Sequence, residues 1–129
     1  MDYENCCWVC GKYGVEYHHA IRRGSVKALI HCKLNLYPLC PLHHRSSPQG
    51  IHGGNKELDL KLKLDFQNKL EMLFDKELLT AEEVNEVLKL SERCLTGLLK
   101  PLKKEKGIYY HRMDIIRICM GGRLYEWYY

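Results

Sequence analysis

The chain has 129 residues, of which 46% are hydrophobic and 28% charged, and its formal net charge is +4. This length allows one modest core or two small ones, and no apolar run approaches the roughly 18 residues of a membrane span. The first residues lack the basic and apolar blocks of a signal peptide, so we expect an intracellular protein with reduced thiols. The mild basicity suits a nucleic-acid partner without requiring one.

Metal-binding residue types are concentrated at one end of the chain. Six of the seven histidines and five of the seven cysteines lie in the first 52 residues. The odd number of cysteines and the CxxC spacing favour metal binding over disulfides, with a disulfide-rich secreted domain as the alternative. Lys and Arg outnumber Asp and Glu by 6 to 3 in residues 1–55 and by 14 to 13 in residues 56–129. The basic excess therefore lies in the ligand-rich part.

Residues 5–14 are typical of a zinc knuckle, in which Gly11 permits the positive φ that turns backbone N–H groups toward the sulfurs. Pro38 and Pro41 exclude a helix over residues 34–39, which are predicted to be extended. The predicted elements of this half are a strand at 15–21, a loop at 22–33, an extended segment at 34–39, a loop at 46–55 and a helix at 56–76.

Capping residues divide the second half into short helices. Thr80 and Glu83 form the pattern of a capping box, and Ser91 can cap the next helix. Residues 108–111 are predicted to form a short strand. Asp114 is expected to cap a final helix that ends at the two glycines beginning with Gly121.

The spacing of the soft ligands predicts a structural zinc site. Cys7, Cys10, Cys40 and His43 form two short-spaced pairs that could close a tetrahedral site and hold together a small core. Cys6 or Cys32 could replace one of these ligands. The alternative is a set of buried thiols beside a surface histidine.

His18 and His19 are adjacent on the first predicted strand. Neighbouring strand residues point to opposite faces, so one ring can bind a metal while the other faces a substrate water. The alternative is a pair of partly exposed histidines without a function.

Four short segments together resemble the HNH, or ββα-metal, endonuclease family. They are EYHHAI at 16–21, NLYPLC at 35–40, HHR at 43–45 and GIHG at 50–53. The sequence is most similar to phage-borne members of the recombination-enhancement type, over residues 6–76. The resemblance implies a ββα-metal fold for this part of the chain.

The resemblance also implies roles for the matching residues. His19 matches the histidine that activates the attacking water, and Asn35 matches the residue that positions it. A catalytic cation, typically magnesium, manganese, nickel or zinc, would be held by His18, His44 and His52. Many relatives have cysteine where this chain has His43.

Hydrolysis of a phosphodiester requires an activated water and a cation that offsets charge on the phosphate, which agrees with these roles. Flanking phosphates could be held by Arg22, Arg23 and Arg45. The alternative for the arginines is a solvated basic loop.

Residues 79–120 are similar to a small winged helix-turn-helix of the excisionase type, in the segments LTAEEV, LSERCL and YYHRMDII. The second helix of such a module enters the major groove. The resemblance implies DNA contacts from Arg93, Thr96, Lys100, Lys103 and Lys104. The alternative is a helical packing or dimerisation domain, with the aromatic residues 125–129 in a core or an interface.

We therefore predict an α+β protein with a zinc-stapled ββα-metal domain at 1–77 and a small helical, winged helix-turn-helix-like domain at 78–129. The predicted function is a metal-dependent DNA endonuclease in the host cytoplasm of a phage or mobile element. One alternative is a non-catalytic zinc-containing DNA-binding regulator. Another is a phage protein that binds a host protein through residues 78–129. The sequence does not fix the oligomeric state, and a dimer is one alternative.

Overall fold

The structure is a computed structural model, and it describes residues 5–126. It is a mixture of helices and two small sheets, which agrees with the predicted α+β class. The elements, in chain order, are β1 (Glu16–His19), β2 (Leu36–Leu39), α1 (Pro41–His44), α2 (Lys56–Leu73), β3 (Leu78–Leu79), α3 (Ala81–Leu88), α4 (Glu92–Leu99), β4 (Tyr110–His111) and α5 (Arg112–Cys119). Short 3₁₀ turns are formed by Lys27–Leu29, Lys33–Asn35 and Ile51–Gly53.

The two predicted extended segments of the N-terminal half pair with each other. β1 and β2 are antiparallel, with His18 opposite Tyr37 and His19 opposite Leu36. Pro41 occupies the first turn of α1, where its missing N–H costs no hydrogen bond. The chain thus passes from β2 directly into the helix that carries His43 and His44.

The long helix α2 begins and ends close to its predicted bounds. The Asn55 side chain accepts a hydrogen bond from the Leu58 N–H at 3.1 Å and caps the N-terminus. At the other end the Arg112 guanidinium donates to the carbonyl oxygens of Glu71 and Phe74. These bonds satisfy terminal carbonyls, and the helix ends at Leu73 instead of the predicted residue 76.

The caps of the shorter helices can be read from the sequence in two cases out of three. Thr80 and Glu83 form the predicted capping box, and Ser91 accepts a hydrogen bond from the Cys94 N–H at 3.2 Å. The predicted cap at Asp114 is wrong, because α5 already begins at Arg112. The Arg112 N–H donates to the Glu77 carbonyl at 2.8 Å, so the β3–β4 pairing sets where this helix starts.

Buried side chains from both halves form one contiguous hydrophobic cluster that extends from Cys7 to Met120. Burial raises the pKa of the Cys119 thiol, and the neighbouring Cys32 raises it further, so these two residues from opposite halves lie close together. The side chain of buried Gln67 in α2 exchanges two hydrogen bonds with the Tyr125 backbone, at 2.8 and 3.0 Å. The packing joins the two halves, and the boundary at residues 77 and 78 stays a prediction.

The predicted aromatic tail lies partly outside the described residues, since the structure describes it only as far as Glu126. Among the helices of residues 5–126, none combines the length and the apolar character needed to cross a membrane.

Candidate metal and histidine site

The structure brings together the four ligands of the predicted structural site. Cys7 and Cys10 come from the N-terminal turn, Cys40 follows β2 and His43 lies in α1, with ligand atoms within 4.8 Å of one another. Cys10 Sγ lies 3.8 Å from Cys40 Sγ, and His43 Nδ1 lies 3.3 Å from Cys40 Sγ. A tetrahedral site with Zn–S bonds of about 2.3 Å has S–S edges of about 3.8 Å. This group is therefore close enough to hold a metal ion and is compatible with zinc.

Local backbone geometry stabilises the thiolate form of Cys7. Gly11 has the predicted positive φ, at 75°, and its N–H donates to the Cys7 carbonyl at 2.8 Å. Burial alone would raise the pKa of Cys7, but hydrogen bonds from the backbone near Cys40, Cys10 and Val9 outweigh it and lower that pKa to about 6. Because the thiolate is the form that ligates metal, this favours binding through Cys7 at neutral pH, whereas burial and the neighbouring Cys40 and Cys7 thiols raise the pKa of Cys10.

A second group consists of three histidines from three different elements. His18 of β1, His44 of α1 and His52 of the Ile51–Gly53 turn offer ring nitrogens within 4.8 Å of one another. Their ring centroids are 4.7 to 5.3 Å apart. His18 and His44 are buried, whereas His52 is exposed. Three protein ligands with one open side are the arrangement of a cation site that also admits a substrate.

The chemical state of His18 suits this arrangement. Burial lowers its pKa to about 4, and the neighbouring His52 and His44 contribute to the shift. The ring is therefore neutral at pH 7, which is the form that binds a metal ion.

Glu16, which the sequence interpretation did not include, orients one of these histidines. Its carboxylate accepts a hydrogen bond from His44 Nδ1 at 2.9 Å, which leaves Nε2 as the ligand atom. The same carboxylate pairs with Arg45 through Nε at 2.8 Å and Nη2 at 3.1 Å. The hydrogen bonds from Arg45 and His44 lower the pKa of Glu16 to about 2, so it stays an anion. An acidic residue two positions before the paired histidines is its only sequence signal.

We expect Glu16→Gln to weaken binding of a divalent cation at the three histidines by about 10- to 100-fold, the usual effect of removing such a partner. The amide keeps the size of the carboxylate but not the charge that holds the His44 ring. Calorimetric titration with manganese measures this, with the exposed Glu57→Gln as the matched control. Equal affinities for the two variants would exclude a role for Glu16.

His19 lies next to His18 on β1 but is not a member of this group, and its ring has a defined orientation. Its Nε2 lies 2.8 Å from the Ile30 carbonyl oxygen, which can only accept, so Nε2 carries the hydrogen. In the neutral ring Nδ1 is then the free base. His19 is thus the next residue after His18 on β1, less buried than His18, and holds its basic nitrogen apart from the three clustered rings.

Asn35 is fully buried and acts through the backbone around His19. Its side chain accepts from the Ile21 N–H at 2.7 Å and donates to the Ile21 carbonyl at 2.9 Å. A third, longer bond of 3.4 Å reaches the Leu29 carbonyl. Asn35 thereby ties together the two ends of the loop whose Ile30 carbonyl orients His19, which makes it a positioning residue in this structure.

The loop that carries His52 is held by two glycines packed on the backbone of Ser46. A Cβ at Gly50 would lie 2.5 Å from the Ser46 carbonyl oxygen, and one at Gly53 would lie 2.8 Å from Ser47 Cα. Real side chains do not tolerate such contacts. The close approach brings His52 next to His44, although the two are eight positions apart in sequence.

We expect Gly53→Ala to displace His52 and to reduce cation affinity at the three histidines by at least tenfold, because the added methyl group must push the loop away from Ser46. Gly24→Ala is the matched control, since a Cβ there meets nothing within 4 Å. Manganese titration of both proteins measures the difference. Wild-type affinity in Gly53→Ala would show that the loop can relax without moving His52.

Two of the three predicted phosphate-binding arginines, Arg22 and Arg45, lie near the histidine group. Arg22 and Arg23 are exposed at the start of the loop after β1. The pKa of His52 is lowered by burial and then by the charges of His44, Arg22 and Arg45, so both arginines lie near this ring. The guanidinium of Arg45 is already engaged by Glu16.

The predicted DNA contacts of the second half are all exposed, and four of them border two different cavities. Arg93 borders a cleft against the loop at residues 25–28. Thr96, Lys100 and Lys104 instead line a cavity of about 420 Å³ beside α3. Lys103 lies in the segment after α4 and is exposed.

Comparison of the chain with protein-family models, with curated proteins and with solved structures finds no match.

Proposed function

We propose that this protein is a metal-dependent DNA endonuclease with the chemistry of the HNH class. The observation that carries the proposal is the three-histidine group, with the oriented ring of His19 next to His18 on β1. A cation site open to solvent and a separate oriented imidazole are the two requirements of phosphodiester hydrolysis. The resemblance of the four sequence segments supports the same reaction.

Under this proposal the three clustered histidines hold the cation and His19 is the general base. A magnesium, manganese, nickel or zinc ion, when bound by His18, His44 and His52, supplies positive charge against the charge that develops on the phosphate. His19 Nδ1 accepts the proton of the attacking water while Nε2–H remains bonded to the Ile30 carbonyl. A new P–O bond forms to the water oxygen, the P–O bond to one sugar oxygen breaks, and the released sugar oxygen takes a proton from solvent water.

The remaining residues support the substrate and the fold. Arg22 and Arg23 are free of acidic partners within residues 5–126 and are available to bind phosphates on either side of the cut. The Cys7, Cys10, Cys40 and His43 group holds a structural zinc that fixes the N-terminal turn against β2 and α1. Residues 78–129 contribute target binding.

We expect the purified protein to convert supercoiled plasmid to nicked or linear DNA when magnesium, manganese or nickel is added. Gel electrophoresis over time measures the conversion, and addition of a chelator provides the control. An intact plasmid with every cation, together with binding to a labelled DNA duplex, would instead support the zinc-containing regulator. An intact plasmid without DNA binding would favour a protein partner.

A further inference from the structure

The cleft between the two halves is the largest cavity described in this structure, with a volume of about 750 Å³. One wall is the loop at residues 25–28, and the other is formed by α4 and the end of α5. The volume lies within the range of about 300–1,000 Å³ that small ligands and single residues of polymers occupy. None of the roles proposed above uses this cleft as a binding site.

The charges around the cleft are of one sign. Lys27 and Arg93 line opposite walls, and the described residues that line it include no acidic side chain. Neither cation forms an ion pair anywhere in residues 5–126. Two exposed cations without partners, facing across a gap, favour a ligand with negative charge along its length.

The floor of the cleft is apolar. Its described lining includes Val26, Leu98, Pro101 and Ile118. Gly97 leaves open space, since a Cβ added there meets nothing within 4 Å. A ligand with phosphates for the two cations and apolar ring faces for the aliphatic floor, such as a short stretch of unpaired nucleotides, complements this lining.

The cleft is also continuous along the chain with the proposed cutting site. The loop that forms its first wall begins at Arg22, three residues after His19, and continues through Arg23 to Lys27. The exposed cations of this loop thus lead from the histidine group toward Arg93.

We propose that this cleft binds a single, unpaired DNA strand, whose phosphates contact Lys27 and Arg93 and whose bases rest on the apolar floor. This rests on the proposed function for the identity of the ligand as DNA. It assigns Arg93 to the cleft and not to the major groove. The substrate is accordingly DNA with a single-stranded segment next to the site of cleavage.

The test is the binding of a fluorescent single-stranded oligonucleotide to the full-length protein without added divalent cation, measured by anisotropy over a range of salt concentrations. We expect Lys27→Glu combined with Arg93→Glu to weaken binding at least tenfold. The slope of log affinity against log salt should become smaller by about 1.4, since each phosphate contact on a single strand contributes about 0.7. The matched control is Lys61→Glu with Arg117→Glu, which changes the net charge equally at two exposed sites outside the cleft.

A second variant tests the cleft without changing charge. Gly97→Leu fills the open space above the floor and should also weaken binding of the single strand at least tenfold, with the salt slope unchanged. This variant decides the matter if the charge reversals prevent folding, which thermal unfolding would reveal.

Three results would overturn the proposal: no binding of the single strand by the wild type, equal losses in the cleft and control variants, or wild-type affinity in Gly97→Leu. Its failure is distinguishable from failure of the proposed function. If the wild type cleaves plasmid and the cleft variants bind the single strand normally, the cleft proposal is wrong and the nuclease proposal stands. If single-strand binding depends on the cleft but no plasmid is cleaved, the nuclease proposal is wrong and the cleft proposal stands.

Discussion

His19→Ala is expected to lower the rate of plasmid cleavage by about 10²- to 10⁴-fold, the contribution usually made by a general base. The substitution removes the nitrogen that accepts the proton from water. It leaves both ligand groups in place, because His19 belongs to neither. The rate of nicking at saturating manganese measures the effect, and cation affinity should remain that of the wild type.

The matched control is His111→Ala, which removes an exposed histidine that pairs with Glu105 at 3.1 Å. We expect it to cleave at the wild-type rate. Equal rates for the two variants in every cation would remove the assignment of His19 and strengthen the case for a non-catalytic regulator.

Cys7→Ser is expected to release the structural metal and to unfold the N-terminal half. In zinc-finger peptides the bound ion contributes about 10–16 kcal/mol, which matches or exceeds the whole stability of about 5–15 kcal/mol of a typical small protein. Cys7 is buried in the contiguous core, so the loss cannot stay local. Elemental analysis should find about one zinc per chain in the wild type and none in the variant, whose circular dichroism should show lost structure.

Cys6→Ser is the control, since Cys6 is the neighbouring cysteine and lies outside the ligand group. It should keep its zinc and its unfolding temperature. A folded wild type without zinc would contradict the structural site, and loss of zinc in Cys6→Ser would mean that Cys6 is a ligand, the alternative that the spacing leaves open.

Much of the local structure could be predicted from residue patterns, because it depends on neighbours in the chain. The capping box at Thr80 and the positive φ of Gly11 follow from short-range hydrogen bonding and backbone sterics. The predicted helix at 56–76 forms as α2 and buries Leu62, Phe66 and Leu70, whose spacing of four places them on one helical face. The predicted cap at Asp114 failed because a long-range strand pairing, and not the local sequence, sets the start of α5.

The ligand groups were also accessible from the sequence, since short spacing restricts where paired side chains can go. Both predicted sets come together in space. The residues that orient these side chains could not be predicted from the sequence in the same way. Glu16 meets His44 and Arg45 across 28 and 29 residues, and no local pattern encodes that meeting.

The sequence by itself therefore determined the α+β class, the caps at Thr80 and Ser91, and which cysteines and histidines come together, all of which depend on short-range chemistry. Tertiary structure alone decided that Gly53 packs on Ser46 to place His52, and that Lys27 faces Arg93 across a cleft. The first is a close backbone approach within one loop, and the second arises only when the contiguous core brings the two halves together, so no residue pattern along the chain encodes either.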